Sequence, residues 1–155
     1  MRRHAVPLLV TLSLLAPGAV QALGFEGWGM RAGTTSNPGS LVVGADADLG
    51  EVAGPVRFVP GLELGLRSDT SVLTLGLPLL YTWGDRGEVR LYVGAGALVS
   101  LLDLEGRYDL EDEYEVAPLL TFGLELGGSL ESMYLEATVS TGDAYATKFL
   151  VGWRY

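Results

Sequence analysis

The sequence predicts an all-β fold, eight antiparallel strands closed into an up-and-down transmembrane barrel behind a cleaved N-terminal signal peptide. Three observations predict it. Apolar residues alternate with Gly, Thr and isolated charges through most of the chain, the period-two signature of a strand with one greasy and one polar face. Turn-forming clusters recur at short, even intervals among 22 glycines, the spacing of a barrel or sandwich. The chain also opens on an export signal and contains no Cys, so its stability must come from the fold and not from disulfides.

The signal occupies residues 1–22, and the barrel is expected to span 23–155. Arg2 and Arg3 supply the positive start and Ala5 to Ala16 the apolar core. Pro17-Gly18 ends any helix, and Val20-Gln21-Ala22 fits the small-x-small cleavage pattern. The apolar run falls short of the roughly 20 residues that a membrane-spanning helix needs.

Eight strands follow. The first runs from Phe25 to Gly33, with a loop from Thr34 to Gly39. The second, Ser40 to Leu49, sets Leu41, Val43, Ala45 and Ala47 against Gly44, Asp46 and Asp48. A turn is expected at Glu51 to Gly54, then a third strand from Val56 to Arg67 with Phe58, Leu62, Leu64 and Leu66 opposite Arg57 and Glu63. The fourth, Ser71 to Trp83, carries Leu73, Leu75, Leu77, Leu79, Tyr81 and Trp83 on one face and ends at the tight turn Gly84-Asp85-Arg86-Gly87. The fifth gives the cleanest pattern: from Val89 to Leu101 every odd position is aliphatic, while the even ones are Arg, Tyr, Gly, Gly, Leu and Ser. The sixth (Ala117 to Gly127), seventh (Ser132 to Thr141) and eighth (Tyr145 to Tyr155) alternate in the same way.

The polar parity decides which face is outside. A water-facing strand surface is normally rich in Lys, Glu and Thr, but here that parity is crowded with Gly61, Gly65, Gly76, Gly94, Gly96, Gly123, Gly127 and Gly152. Glycine weakens an exposed strand. It suits the lumen of a barrel of about eight strands, whose interior side chains just fill. The remaining polar-parity residues carry both signs, Arg31, Arg57, Arg67, Arg90, Lys148 and Arg154 with Asp46, Asp48, Glu63, Glu125 and Glu136. Pairing across a lumen would offset the cost of burying them. A lumen charge network is therefore expected at Arg57, Glu63, Arg90, Glu125, Glu136 and Lys148, with the Leu/Val/Phe face turned to lipid. Trp28, Tyr81, Trp83, Tyr145, Trp153 and Tyr155 fall near strand ends, where interfacial aromatic girdles lie. Pro60, Pro78 and Pro118 sit inside expected strands, where a closed barrel offers no free edge for a missing donor.

Composition narrows the function. Removing Arg2 and Arg3 with the signal leaves 8 Lys and Arg against 19 Asp and Glu, which argues against nucleic acid as a partner. The single His, His4, lies in the signal, so Ser-His and Cys-His nucleophiles and His-containing zinc sites are closed to the mature chain. No catalytic residues, metal site or cofactor are expected.

The pattern over Phe25 to Tyr155 resembles the small eight-stranded outer-membrane barrels of the OmpX and OmpA-transmembrane type. Its most specific part is Phe149-x-Val151-x-Trp153-x-Tyr155. In that family a last strand closing on a terminal aromatic is the insertion signal read by the barrel-assembly machinery; Tyr155 stands where Phe is usual. The resemblance implies a location in the outer membrane, contact with its lipid, and short periplasmic turns with longer external loops, but not a wall anchor. The turns would be Glu51 to Gly54, Gly84 to Gly87 and Gly128 to Glu131. The external connections would be Thr34 to Gly39, Ser68 to Thr70, Leu102 to Glu115 and Gly142 to Ala144.

The longest of these carries Asp103, Glu105, Asp109, Glu111, Asp112, Glu113 and Glu115 with one base, Arg107. Clustered carboxylates have the chemistry to bind Ca²⁺ or to bridge divalent ions to lipid phosphates, and an exposed strand edge can capture an external protein. The segment matches no calcium-loop spacing, which favours a solvated acidic loop. Glu63, Glu125 and Glu136 resemble an acid/base set only in type, since glycosidase chemistry needs carboxyl groups roughly 5–10 Å apart in an open cleft. The sequence thus favours a barrel with a filled lumen and a structural or surface-interaction role. A soluble exported barrel binding an apolar ligand is the alternative, and a lipid-modifying enzyme a more distant third.

Overall fold

The computed structural model describes residues 24–36, 39–66, 71–84, 89–102, 114–127, 131–141 and 147–155, and within these the chain is all-β. The strands are β1 (Gly27–Ser36), β2 (Gly39–Asp48), β3 (Glu51–Ala53), β4 (Val56–Phe58), β5 (Gly61–Leu66), β6 (Ser71–Trp83), β7 (Val89–Leu102), β8 (Tyr114–Gly127), β9 (Ser132–Ser140) and β10 (Thr147–Arg154). β2 runs on into β3 and β4 into β5 across short breaks, so the ten segments form eight staves. All pairings are antiparallel. β1 pairs with both β2 and β10, and β6 with β7, which closes the cylinder; among the described strands only the short β3, at one rim, has a single partner.

The closed eight-stranded barrel is the fold the alternation predicts, and β6 has the expected bounds. Four connections differ. Glu51 to Ala53 is strand and not turn: β3 pairs with β4, and the reversal falls on Gly54-Pro55. The third stave breaks at Val59-Pro60. β1 and β2 both extend into the expected Thr34 to Gly39 loop. Tyr114 and Glu115 belong to β8, because they pair with Leu101 and Ser100. The signal segment 1–22, the acidic residues 103–113, Arg67 and Tyr145 lie outside the described residues.

The prolines fall where the ladder is interrupted. The Pro78 carbonyl accepts from Val59 N at 3.3 Å. In a strand a residue's nitrogen and carbonyl point the same way, so the nitrogen of Pro78 faces the β4–β5 break and not the intact β7 side. Pro60 lies in that break, and its carbonyl still accepts from Ala47 N at 2.9 Å. Pro118 sits one residue outside the β8–β9 ladder, which begins at Leu119.

Burial inverts the soluble pattern. Among the described residues 14 polar or charged side chains are buried, against ten apolar ones. Leu41, Leu62, Leu79, Leu91, Leu120, Phe122, Leu135 and Phe149 instead stand exposed on the outer face. Most of the outer Trp and Tyr residues gather at one end, while Tyr114 stands exposed at the other, where β8 starts. Trp28 stacks on Tyr155 at 5.1 Å, and Tyr81 meets Trp83 edge-on at 4.6 Å. Both pairs lie at the end where β1 starts and β6 and β10 finish.

Because the missing donor of Pro78 faces a break, Pro78→Ala should change stability by less than about 1 kcal/mol. Leu75 is paired on both sides, with Leu62 and Val99. Leu75→Pro should therefore cost about 3 kcal/mol or more, measured by urea unfolding of the refolded barrel.

Candidate functional site: the lumen charge network

Strand parity turns five bases (Arg31, Arg57, Arg90, Lys148 and Arg154) and five acids (Asp46, Asp48, Glu63, Glu125 and Glu136) into the lumen. Among the described residues these ten ions balance in sign. An isolated ion in this interior would cost several kcal/mol, so the balance is a condition for closing the barrel.

The ions form three groups. In the first, Glu63 on β5 receives Lys148 Nζ from β10 at 2.5 Å and Thr74 Oγ1 from β6 at 3.3 Å. Arg31 Nε on β1 lies 3.0 Å from Glu63 Oε1, at ion-pair distance but off the hydrogen-bonding direction. The Arg31 guanidinium also lies 3.7 Å from Glu136 on β9, and Glu136 accepts the Tyr92 hydroxyl from β7 at 3.0 Å. This group ties strands from opposite walls of the barrel.

The second group lies nearer the end where β1 starts. Asp46 on β2 accepts Tyr134 Oη at 2.5 Å and Arg154 Nη2 at 3.1 Å. Arg154 stands 4.9 Å over the Tyr134 ring and 3.6 Å from Glu125. Glu125 also takes Arg90 Nη2 at 2.7 Å and Ser132 Oγ at 2.5 Å. At the mouth Arg57 pairs with Asp48 and, at 3.9 Å, with Glu26, while Asp48 accepts the Gly50 backbone N–H at 3.0 Å.

Of the six residues expected in the network, Glu63 and Lys148 meet directly, as do Arg90 and Glu125. Glu136 is joined to Glu63 through Arg31. Arg57 pairs instead with Asp48 and Glu26 and touches none of the other five as an ion pair. Arg31, Asp46, Asp48 and Arg154, visible on the polar parity, are full members.

Tyr92 and Tyr134 are the members that charge patterning misses. Their signal is the glycine opposite each: Tyr92 pairs with Gly123 and Tyr134 with Gly152. A methyl at either glycine would overlap the tyrosine ring, so each ring needs that bare stretch of wall in order to lie down across the lumen.

The other expected sites are placed as follows. Phe149, Trp153 and Tyr155 project outward and are exposed, and Val151 is outward and half-buried. Asp103, Glu105, Asp109, Glu111, Asp112 and Glu113 lie outside the described residues. Among the described residues no cluster of three or more potential ligands is arranged to hold a metal ion. The carboxylates are engaged by bases and hydroxyls across a filled lumen, an arrangement that stabilises walls.

No family model matches the sequence, and no curated protein does. Among solved structures the chain is similar to the N-terminal β-barrel domain of Pseudomonas aeruginosa OprF, with a TM-score of 0.65 at 12% identity over 84% of this chain and 97% of that one. At that identity the likeness is one of fold.

Glu63 serves two buried bases, whereas Arg90 is a rim residue whose partner retains Arg154 and Ser132. Glu63→Ala should therefore cost about 3–5 kcal/mol. Arg90→Ala should cost less than half of that. Urea titration of both variants checks the order, and equal losses would contradict it.

Proposed function

We propose that this chain is an outer-membrane β-barrel protein of the small OmpX and OmpA-transmembrane kind, exported by its N-terminal signal and plugged by its own ion pairs. It serves a structural or surface-interaction role through its external loops. The observation that carries the reading is the inverted burial. Among the described residues, 22 large apolar side chains are each at least 39% exposed. Soluble monomers rarely expose contiguous apolar patches beyond a few hundred Å². A closed ladder, which satisfies its backbone internally, is one of the two structures a hydrocarbon layer admits.

The medium of the outer face is then membrane lipid, and the Trp28, Tyr81, Trp83, Trp153 and Tyr155 belt marks its periplasmic boundary. Phe149, Val151, Trp153 and Tyr155 present an outward stripe for the barrel-assembly machinery. The acidic run Asp103, Glu105, Asp109, Glu111, Asp112 and Glu113, outside the described residues, is the candidate surface for an external protein or a divalent cation. The reading assigns no catalytic step, no cofactor and no nucleic-acid partner. The soluble, ligand-binding alternative would need the apolar face inside, opposite to the burial described above.

In a Gram-negative host the protein should stay with the outer-membrane fraction through a urea wash and migrate as a heat-modifiable band. In planar bilayers it should give no large steady conductance, since side chains fill so narrow a lumen. Release by urea, or full solubility without detergent, would overturn the proposal.

A further inference from the structure

One ladder of the cylinder differs from the rest. β1 and β10 are the strands farthest apart in the chain, whereas every other ladder joins staves that follow one another. A parted neighbour pair stays tethered by a short connection and recloses quickly. The β1–β10 seam has no such tether, and closing it opposes the loop entropy of all the chain between. Its inner side offers little side-chain packing. Gly27, Gly29 and Gly33 share the inward parity of β1, and a methyl on each would first meet a backbone carbonyl, that of Tyr155, Trp153 and Phe149 respectively. Glycine in a strand lets another backbone close in but gives it no side chain to pack against. The ion pairs of Arg31, Lys148 and Arg154 described above run to β5, β9, β2 and β8, not across the seam.

The outer face supplies a fastening at one end. Trp28 and Tyr155 exchange both backbone hydrogen bonds, at 3.1 and 2.8 Å, and their rings stack 5.1 Å apart. The β9–β10 ladder stops one residue earlier, at Ser132 and Arg154, so these bonds to Trp28 extend the seam beyond it. On its other side Trp28 faces the small Ala47 of β2. At the opposite end of the seam Ser36 Oγ donates to the Thr147 carbonyl at 3.4 Å, a weaker tie. The Tyr81–Trp83 pair has the same ring chemistry at the same end as Trp28, but both its rings stand on β6. It fastens no ladder. We infer that Trp28 and Tyr155 form a latch that keeps the closing seam of the barrel shut, and that removing either ring lets the seam part from that end. The latch goes beyond the membrane reading, since it belongs to the closed sheet whichever medium meets the outer face.

The test is amide hydrogen exchange, read residue by residue by nuclear magnetic resonance. The full chain is refolded in detergent micelles or, should it be soluble, in plain buffer. Trp28→Ala and Tyr155→Ala should each speed exchange of the β1 and β10 amides about fivefold or more, with the β7–β8 ladder changed by less than about twofold. The double variant should exceed the faster single by less than about twofold, because losing one ring already releases the latch. Trp83→Ala removes a similarly exposed ring from the same end and should leave the seam unchanged. Unchanged seam exchange in Trp28→Ala, or a uniform rise in every ladder, would overturn the latch. An equal rise in the seam from Trp83→Ala would do the same, leaving a belt of independent rings, as would a double variant equal to the product of the singles. Should an alanine variant fail to fold, Trp28→Leu and Tyr155→Leu repeat the comparison with an aliphatic side chain in place of each ring.

Discussion

Neutralising ions inside a cylinder narrow enough for side chains to fill is the constraint on which the rest of this structure depends. Eight staves enclose a space that side chains fill, so each charge placed there needs a counter-charge within reach. The chain meets the constraint with five bases and five acids; Arg90–Glu125 and Arg57–Asp48 join neighbouring staves, and the other ion pairs run between non-adjacent strands. Lys148 on β10 reaches Glu63 on β5, and Tyr134 on β9 reaches Asp46 on β2. Such links brace opposite walls, a task that an apolar core performs in a soluble barrel.

Filling the lumen with polar groups frees the aliphatic residues for the exterior. It also explains the glycines. A tyrosine lying across the lumen needs a facing wall without side chains, and Gly123 and Gly152 provide it opposite Tyr92 and Tyr134. The same economy operates at the prolines, because the β4–β5 break absorbs both Pro60 and the missing donor of Pro78.

Much of this was legible in the residues. The strict alternation from Val89 to Leu101 determines which side chains turn inward, and glycine on the polar parity indicates that inward means a crowded lumen. Long regular strands such as β6 end where the pattern ends. The breaks were not legible, since Glu51 to Ala53 carries too short a pattern to distinguish strand from turn, and only pairing with β4 makes it one. Partners within the lumen were legible by sign but not by identity. Arg57 turns to Asp48 because β4 lies beside the β2–β3 bend, a consequence of register that composition does not encode. Tyrosine membership could have been inferred from the glycine opposite each ring only once the register was known.

The orientation of the two faces can be measured directly, because the chain contains no cysteine and single cysteines can be introduced without removing any. Nitroxide labels at Leu120, Phe122 and Leu135, compared with labels at Thr121 and Thr138, would be read in lipid vesicles by collision with oxygen and with a polar nickel chelate. The account predicts that the first three collide freely with oxygen and hardly with nickel, and that the two threonine sites are shielded from both. Free nickel collisions at Leu120, Phe122 and Leu135 would mean that this face meets water, contradicting the account.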